Sequence, residues 1–341
     1  MGVRLAEIAK YAGVSESTVS RVLTGKAGVA ESTRASVLTA LDVLGYERPT
    51  QLRDQRIRVA GIDVPELRNP VFPAYAEAIG SVLAQRGFTP MVCVTEAGGK
   101  PEAEYVEMLL ERRVSGVIFV SGLHAVAKQD LSHYRRLQER GLPVVVVNGV
   151  VDELGVTAVS TDDRAAVELA VRHLVSLGHR SIGLSISDDE HVPGHRKAAA
   201  FLDAMRDLLG IAEGAALVDR SMYSLEGGLA AATRLIRRGA TGIVCASDLM
   251  ALGAVRAAQR LELNVPRDIS VIGYDDSSFM PLVCPPMTTI RQPIEAISRA
   301  AAGLLLAQVG GAEARHEEIM FEPELVVRGS TGPAATTRLV G

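Results

Sequence analysis

The sequence predicts a small α-helical domain at the N-terminus, followed by a larger α/β domain that is divided into two lobes. Three observations support this fold class. Residues 5–45 have helical periodicity only, residues from about 57 onward alternate apolar runs with helical stretches, and that alternation forms two successive series. The length of 341 residues is enough for two or three domains with a sizeable hydrophobic core.

The stretch 5–24 predicts two short helices that are joined by a turn. Apolar residues with helical spacing define the first helix: Leu5, Ile8, Ala9 and Ala12. Gly13 suits the left-handed backbone that ends a helix, and Ser15 can cap the second helix. A third helix, which ends near Gly45, completes the predicted domain.

Two short helices around a glycine-containing turn form a helix-turn-helix, which can place its second helix in the major groove of DNA. The residues of that helix that lie off its apolar stripe are Glu16, Ser17, Ser20, Arg21 and Thr24. Arg21 is best suited to read a base, because its guanidinium matches the two acceptors of guanine, and Ser17 lies one turn before it. Periodicity alone leaves an ordinary amphipathic helical hairpin open as the alternative.

The distribution of charge and cysteine constrains the class of protein. Residues 1–60 carry nine Lys/Arg against six Asp/Glu, a net charge of +3, whereas the whole chain carries −4. A weakly basic head on an acidic body fits a DNA-binding arm without proving it. Cys93, Cys245 and Cys284 are too few and too far apart for a disulfide framework or a zinc cluster, and we expect each to be a small buried hydrophobe.

Targeting and membrane signals are missing from the sequence. No charged and apolar leader precedes Leu5, and no apolar run approaches the roughly 18 residues of a membrane span. We therefore expect a cytoplasmic protein without a membrane partner.

From residue 57 the chain alternates strands with helices. The first series predicts strands at 57–64, 88–94, 116–121 and 143–147, and helices near 72–86, 101–112 and 130–140. The second series predicts strands at 180–186, 242–246 and 269–274, and helices at 163–176, 195–209, 225–238 and 248–261. A last helix at 294–309 and a last strand at 319–328 follow. Two series of βαβ units predict two parallel-sheet lobes around a cleft.

Four N-terminal phrases resemble the DNA-binding headpiece of the LacI/GalR family, at that family's usual N-terminal place. They are Ala-Gly-Val-Ser at 12–15, Thr-Val-Ser-Arg-Val-Leu at 18–23, Gly-Lys at 25–26 and Leu-Gly-Tyr at 44–46. The resemblance implies that Glu16, Ser17 and Arg21 contact base edges. It implies phosphate or supporting contacts for a second group: Ser15, Thr18, Ser20 and Thr24.

The segment after the headpiece departs from the family's pattern. The family's hinge helix presents a leucine to the minor groove, whereas segment 49–56 here is short and charged, with Leu52 as its only apolar side chain. Leu52 in a shifted register, or Arg53 together with Arg56, are the candidates for minor-groove contact. A solvated linker without a role at the groove is the alternative.

Four segments of the body resemble the type I periplasmic-binding-protein fold, which the same family uses to sense small molecules: 68–72, 178–183, 265–276 and 285–293. The expected fold class is therefore an α N-terminal helix-turn-helix headpiece plus an α/β two-lobed type I periplasmic-binding-protein-like effector domain. The expected parts are the headpiece 1–47, a hinge linker 48–56, an effector-binding and dimerisation domain 57–330 and a disordered tail 331–341. Lobe 1 is expected over about 57–158 and 291–318, and lobe 2 over about 159–290 and 319–330.

Ligands of open α/β sheets bind beyond the carboxyl ends of the strands. The polar and aromatic candidates at such positions are Asn69, Phe72, Asn148, Arg196, Lys197, Tyr223, Asp248 and Asp275. Such groups suit a sugar, because they hydrogen-bond vicinal hydroxyls and cover the apolar face of a pyranose. The resemblance gives these roles to Asp275, the Arg196/Lys197 pair and Tyr223, and the family's arginine usually stands where Lys197 does. Helix capping by Asp248 and a core position for Tyr223 are the alternatives.

Motifs for catalysis are missing. His191 and His195 are four residues apart but lack the glutamate and third ligand of a zinc site, so we expect exposed polar residues. No G-x-S-x-G, P-loop or dinucleotide fingerprint is present, and we expect neither an enzyme nor a bound cofactor or metal. The helix-turn-helix disfavours a solute-binding protein that serves a transporter.

We therefore expect a transcriptional repressor of the LacI/GalR type that binds double-stranded operator DNA as a homodimer and is released by a small sugar. Segments 45–49, 120–124 and 323–331 resemble maltose/maltodextrin-responsive repressors of actinobacteria. They lie mostly outside the cleft, and therefore indicate a subgroup more than a ligand. A nucleoside or another non-sugar effector, and co-repression instead of induction, are the alternatives. The tail 331–341 has no heptad pattern that would support a tetramer.

Overall fold

The structure is a computed structural model that describes residues 5–23, 28–44, 58–95, 100–187, 190–212 and 217–334. The chain divides into two compact units, Met1–Arg58 and Val59–Gly341. Among the described residues, no helix is both long and apolar enough to cross a membrane.

The described part of the N-terminal unit contains helices α1 (Leu5–Ala12), α2 (Glu16–Leu23) and α3 (Glu31–Val43). Their apolar stripes form one small core: Ile8, Ala9, Val19, Val22, Val37, Ala40 and Leu41. Gly13 follows α1 with a φ of +69°, which glycine adopts without steric penalty. The backbone N–H of Thr18 donates to Ser15 Oγ at 3.2 Å, and this bond confirms Ser15 as the cap of α2.

Lobe 1 of the second unit is built on one sheet. Its strands are β1 (Arg58–Val64), β2 (Phe88–Val94), β3 (Gly116–Val120), β4 (Val144–Val147), β5 (Thr157–Thr161) and β11 (Glu318–Phe321). The order is β11-β5-β4-β3-β1-β2, with parallel pairing from β11 through β1. Helices α4 (Val71–Gln85) and α11 (Ile294–Val309) pack on one face, and α5 (Glu102–Glu111) and α6 (Ser132–Glu139) on the other. Because both faces are covered, β3 (GVIFV) and β4 (VVVV) are apolar throughout and fully buried.

Lobe 2 repeats this plan. Its strands are β6 (Ile182–Ser187), β7 (Leu217–Ser221), β8 (Gly242–Cys245), β9 (Ser270–Asp275), β10 (Thr288–Arg291) and β12 (Glu324–Val326). The order is β12-β10-β9-β8-β6-β7, in which only the β10–β12 pair is antiparallel. The helices are α7 (Asp163–Ser176), α8 (Val192–Leu209), α9 (Leu225–Arg237) and α10 (Asp248–Arg260). The predicted two-lobed α/β architecture is confirmed.

Within the described residues the chain passes between the lobes after β5, after β10 and after β11. The predicted lobe limits were wrong at two of these places. Lobe 1 extends to Thr161 because β5 pairs with β4 and β11, and residues 318–321 belong to lobe 1 rather than lobe 2. The single strand predicted at 319–328 is two strands, β11 and β12, which lie in different lobes.

The C-terminal segment 331–334 is ordered, so the prediction of a disordered tail from Thr331 was wrong for these residues. The backbone N–H of Ala334 donates to the Leu177 carbonyl at 2.9 Å, and that of Gly332 donates to Ser270 Oγ at 3.1 Å. Residues 335–341 lie outside the described part of the chain. These bonds attach the end of the described chain to lobe 2.

The three cysteines are free thiols. Cys93 and Cys245 are buried, as predicted for small hydrophobes, but Cys284 is exposed. Cys284 lies in the surface loop between β9 and β10, which explains why its burial was predicted wrongly.

Helices α9 and α10 pack closely because glycines lie at their contact. A Cβ atom on Gly253 would overlap the carbonyl oxygen of Leu225 and lie 2.6 Å from the backbone nitrogen of Leu229. A Cβ atom on Gly228 would overlap the carbonyl oxygen of Met250. Since backbone atoms form both obstacles, no flexible side chain can move aside.

We expect Gly253→Ala to lower the free energy of unfolding by about 1–3 kcal/mol, because the two helices must separate to admit the methyl group. Gly303→Ala in α11 is the matched control, since no atom lies within 4 Å of that Cβ position. The control should be neutral or stabilise the protein by up to about 1 kcal/mol, because alanine favours the helix. Urea denaturation followed by circular dichroism measures both changes, and equal stabilities of the two variants would contradict the close-packing argument.

Candidate DNA-binding surface and ligand cleft

The outer face of α2 carries residues that were predicted to contact DNA. Glu16, Ser17 and Arg21 are exposed, whereas Thr18 and Ser20 are half-buried. Ser17 and Arg21 are four residues apart and therefore lie one above the other on the same face of the helix. The face that would meet a major groove is thus polar.

Hydroxyl groups at the start of α2 form a local network. Ser15 Oγ lies 2.9 Å from Ser17 Oγ and 2.8 Å from Thr18 Oγ1. This network orders the first turn of the helix, where backbone N–H groups favour a phosphate. The other predicted DNA-binding residues lie outside the described residues: Thr24, Leu52 and Arg53.

The second unit contains a cavity of about 460 Å³ between its lobes, at the carboxyl ends of the strands. This volume lies in the range of about 300–1,000 Å³ that is usual for small-molecule sites. Lobe 1 contributes Pro65, Glu66, Arg68, Asn69, Val71, Phe72, Thr95, Ser121, Asn148 and Thr161. Lobe 2 contributes Asp163, His191, Pro193, Lys197, Tyr223, Ala246, Ser247, Tyr274 and Asp275. Gln292, in the segment between β10 and α11 that passes from lobe 2 to lobe 1, completes the lining.

Six of the eight predicted effector residues line this cavity: Asn69, Phe72, Asn148, Lys197, Tyr223 and Asp275. The other two, Arg196 and Asp248, lie outside it. The sequence reasoning missed two central side chains, Asp163 and Gln292. Contact of any of these residues with a ligand stays a prediction.

Asp275 is a buried carboxylate at the end of β9. Only 6% of the residue is exposed, and its φ of 116° is a strained backbone conformation of the kind found at functional sites. Its Oδ1 accepts a 2.7 Å bond from Gln292 Nε2, and its Oδ2 has no hydrogen-bond partner among the described residues. Burial and then the charge of Asp248 raise the pKa of Asp275 well above its usual value, although Gln292, Lys197 and Asn69 act in the opposite direction. Asp275 therefore lines the cavity with one oxygen bonded to Gln292 and the other buried without a partner among the described residues.

Gln292 joins the two lobes at the cavity. Its Oε1 accepts bonds from Tyr75 Oη at 2.9 Å and from Thr161 Oγ1 at 3.0 Å, both in lobe 1. Its Nε2 donates to Asp275 in lobe 2. A polar residue between β10 and α11 was the only sequence signal for this role, and it does not reveal the partners.

Asp163, Lys197 and Tyr274 form a buried group on the lobe 2 wall. Lys197 Nζ lies 2.6 Å from Asp163 Oδ1, and Tyr274 Oη donates to the same oxygen at 2.8 Å. The ammonium also lies 4.2 Å from the centre of the Tyr274 ring, which adds a cation–π contact. Asp163 and Lys197 are each 5% exposed. Position 197, where the family usually has an arginine, thus holds a lysine that pairs with Asp163.

Arg196 differs from its predicted place. Its guanidinium binds Glu318 of lobe 1 through two bonds, 2.8 Å to Oε1 and 2.6 Å to Oε2. The hydrogen bonds to Glu318 raise the pKa of Arg196. Adjacent residues of a helix point about 100° apart, so only one of Arg196 and Lys197 can face the cavity. The structure places Lys197 there and assigns Arg196 to an ion pair between the lobes.

Both carboxylate oxygens of Asp248 are also hydrogen-bonded within the protein. Its Oδ1 accepts from Thr289 Oγ1 at 2.6 Å, and its Oδ2 accepts from the backbone N–H of Ser277 at 2.7 Å. Burial raises the pKa of Asp248 to about 6, against the effect of these bonds. The cap of α10 is Ser247, whose Oγ accepts from Met250 N, so the alternative of capping by Asp248 was also wrong.

His191 lines the cavity, although it was predicted to be an exposed polar residue. It forms an antiparallel bridge with Val126 of lobe 1, beside a 3.1 Å bond from Ala127 N to the Glu190 carbonyl. His195, by contrast, is exposed as predicted. No group of three or more His, Cys, Asp or Glu in the described parts of the chain could hold a metal ion.

Asn69 and Asn148 mark the lobe 1 wall. Asn69 is 7% exposed, and its Oδ1 accepts a long bond of 3.4 Å from Val71 N. Asn148 follows β4 with a φ of 68°, and its Nδ2 donates to Ser121 Oγ at 3.1 Å. Asparagine tolerates this left-handed conformation better than most residues, which places a side-chain amide at the strand end.

Asp63 lies behind the lobe 1 wall at 1% exposure. Thr95 Oγ1, which lines the cavity, lies 3.1 Å from both carboxylate oxygens. Burial, followed by the charge of Glu102, raises the pKa of Asp63 to about 8, while the bond from Thr95 lowers it. The folded protein therefore holds a proton on Asp63 at neutral pH.

Known proteins resemble both units. A model of bacterial regulatory proteins of the lacI family matches residues 4–49, and a model of periplasmic binding protein-like domains matches residues 171–331. The HTH-type transcriptional regulator MalR of Streptomyces coelicolor is 51% identical over 341 residues, which cover 99% of each chain.

Solved structures agree with these matches. The Lac repressor dimer bound to operator and the anti-inducer ONPF has a TM-score of 0.76 and 28% identity, and the match covers 97% of this chain and 100% of that one. The complex of the transcriptional regulator CelR with cellobiose has a TM-score of 0.71 and 28% identity, with coverage of 96% and 100%.

A helix-turn-helix unit on a two-lobed periplasmic-binding-protein-like domain defines a DNA-binding transcriptional regulator. The chain belongs to the LacI family of bacterial transcriptional regulators, since full-length relatives at 51% identity carry that function in their names. The fold class predicted from the sequence is confirmed.

We expect Asp63→Asn to stabilise the protein at pH 8.5 and to change it little near pH 4. The pKa of Asp63 is about 8 in the folded protein and near 3.8 when unfolded, so the folded state binds the extra proton between these values. The wild type therefore loses stability as the pH rises from about 4 to 8, whereas the uncharged amide does not titrate. Urea unfolding at both pH values measures the difference, and an equal difference at the two values would contradict the raised pKa.

Proposed function

We propose that the protein is a transcriptional repressor that binds its operator as a homodimer in the cytoplasm and is released by a sugar of the maltose or maltodextrin type. The supporting observation is that one chain combines a helix-turn-helix unit with a polar and aromatic cavity of ligand size. The first can read DNA and the second can bind a small molecule, so the effector can control DNA binding.

Arg21 is the central base-reading residue of this proposal. It is exposed on α2, and its planar guanidinium can bond guanine O6 and N7 together. Glu16 and Ser17 contact neighbouring base edges, and a second set binds phosphates or supports the helix: Ser15, Thr18, Ser20 and Thr24. Leu52 and Arg53 are our candidates for the minor groove.

A homodimer follows from the small reach of a single headpiece. One recognition helix reads only a few base pairs, and a two-fold dimer presents two such helices to matched half-sites. The operator is therefore expected to be a pseudo-palindrome. The Lac repressor, which shares 28% identity with this chain, is a dimer on its operator in its solved structure.

The cavity suits a neutral, hydroxyl-rich ligand. Asp275, Asn69 and Asn148 supply hydrogen-bonding groups from the two lobes, and Lys197 adds a donor. Phe72 of lobe 1 and the lobe 2 residue Tyr223 supply apolar ring faces for a pyranose. The complex of CelR with cellobiose supports a sugar, and the resemblance of segments 45–49, 120–124 and 323–331 to maltose/maltodextrin repressors supports the maltose type.

Release from DNA is proposed to be a population shift between two lobe arrangements. A sugar that binds one arrangement better moves the equilibrium and breaks the spacing of the two headpieces. A change from mostly bound to mostly released needs a difference in ligand affinity of about 10⁴-fold between the arrangements. In a homodimer, the two cavities together supply this difference in affinity.

We expect Arg21→Ala to abolish the preference for operator over unrelated DNA while sugar binding is retained. Arg34→Ala on α3 is the matched control, because it removes the same charge outside the recognition helix. Fluorescence anisotropy with operator and scrambled duplexes at fixed salt measures the preference. The control should weaken binding to both duplexes equally, and retained preference in Arg21→Ala would remove Arg21 from base reading.

We expect maltose to raise the melting temperature of the wild type, because binding to the native state stabilises it by mass action. Asp275→Asn should lose at least about tenfold in affinity for the sugar, since one carboxyl oxygen is replaced by an amide NH₂ that cannot accept a hydrogen bond. This variant should still bind operator, but sugar should no longer release it. Asp219→Asn is the control, because Asp219 pairs with Arg234 away from the cavity.

Two other outcomes would contradict parts of this prediction. A normal response of Asp275→Asn would exclude Asp275 from the sugar site. A wild-type response to another neutral sugar and none to maltose would overturn the maltose assignment and retain a sugar-controlled repressor.

A further inference from the structure

The charged side chains that line the cavity differ in burial. We call the buried ones the floor of the cavity and the others its rim. The acidic and basic side chains of its lining are Glu66, Arg68, Asp163, His191, Lys197 and Asp275. Only three of them are buried: Asp163 and Lys197 at 5% exposure each and Asp275 at 6%. Arg68 is exposed, and Glu66 and His191 are half-buried.

The positive charge of the floor is already neutralised by the protein. Lys197 Nζ lies 2.6 Å from Asp163 Oδ1, which also accepts the Tyr274 hydroxyl at 2.8 Å. The remaining buried acid, Asp275, also lines the cavity, and its buried Oδ2 has no hydrogen-bond partner among the described residues. A phosphate would meet a neutral pair and a second carboxyl group, without a spare cation in the described floor.

Asp163 also lies in the first turn of α7, where negative charge is favoured. It is the first residue of α7, and Asp162 before it caps the helix by accepting from Ala165 N at 3.0 Å. The N-terminus of a helix favours negative charge, because its first N–H groups point outward and the helix dipole is positive there. The carboxylate of Asp163 thus places negative charge in the first turn of α7 and beside the ammonium of Lys197.

We propose that Asp163 is an internal counter-anion that makes the cavity select uncharged sugars and reject their phosphorylated forms. This inference rests on the proposed function, because it concerns the ligand of the same cavity. The selectivity arises because Asp163 already occupies the binding partner of an anion, Lys197. An anionic ligand must either remain without a partner in the buried floor or break the bond between Lys197 and Asp163. An uncharged sugar has no charge that needs a partner, and it leaves the bond between Lys197 and Asp163 intact.

The test compares matched ligand pairs by thermal shift and by isothermal titration calorimetry. The pairs are maltose with maltose 6′-phosphate, trehalose with trehalose 6-phosphate, and glucose with glucose 6-phosphate. For any sugar that binds, the wild type should prefer the uncharged form by at least about tenfold, the effect of one unpaired charged group. Equal or tighter binding of a phosphorylated partner would overturn the inference.

Asp163→Asn should release Lys197 for an external anion while it keeps the size of the side chain and an acceptor for Tyr274. The preference for the uncharged form should then fall by at least about tenfold, and inorganic phosphate should raise the melting temperature of the variant but not that of the wild type. Asp219→Asn is the matched control: it also breaks a lobe 2 carboxylate pair, with Arg234, but it lies outside the cavity. An unchanged preference in folded Asp163→Asn, or an equal gain in Asp219→Asn, would overturn the role of Asp163.

Two further arms keep the result interpretable. Asp163→Ser is a second variant with the same expected gain, in case the asparagine variant does not fold, and the wild-type ligand pairs need no variant. In Asp163→Asn/Lys197→Met the response to phosphate should disappear, since the ammonium that binds it is gone, and a persistent response would contradict the mechanism. If no sugar in either form binds the wild type, the proposed sugar effector fails, while the response of Asp163→Asn to inorganic phosphate still decides the role of Asp163.

Discussion

The hydrogen bonds of Gln292 are the constraint on which the two-lobed unit depends. This side chain accepts from Tyr75 and Thr161 of lobe 1 and donates to Asp275 of lobe 2, so it satisfies both lobes at the cavity floor. A buried amide with these three bonds fixes the geometry around it, because the loss of a partner would leave a buried polar group unsatisfied. The bond from Gln292 thereby holds one carboxylate oxygen of Asp275 in place at the cavity.

Much of the fold was predictable because parallel sheets that are covered on both faces leave a plain signal. β3 and β4 are uninterrupted apolar runs, and α7 and α11 begin and end where their periodicity does. Three strands escaped prediction. β5 (TAVST) and β10 (TTIR) are short and rich in threonine, and their burial comes from partners distant in the chain, which a local pattern cannot reveal. β7 (LVDRS) is a short edge strand with two charged residues.

The candidate site was less predictable, because it depends on rotations and pairings that residue type does not set. The helix expected from 195 begins at Val192, and Pro193 in its first turn was the available signal for that start. Arg196 and Lys197 have similar charges, yet one pairs with Glu318 across the lobes and the other pairs with Asp163 at the floor. Only the helix rotation decides which of them reaches the cavity.

The same contacts explain how a small ligand could influence whole lobes. Besides Gln292, the lobes are joined by the Arg196–Glu318 pair and by the bridge of His191 with Val126. The ion pair is partly exposed and therefore screened by solvent, so it contributes modestly. Asp275 is different, because it is bonded directly to the buried Gln292 and also lines the cavity. A ligand that engages Asp275 would act on this buried link between the lobes, and a change in its hydrogen bonding would shift their equilibrium.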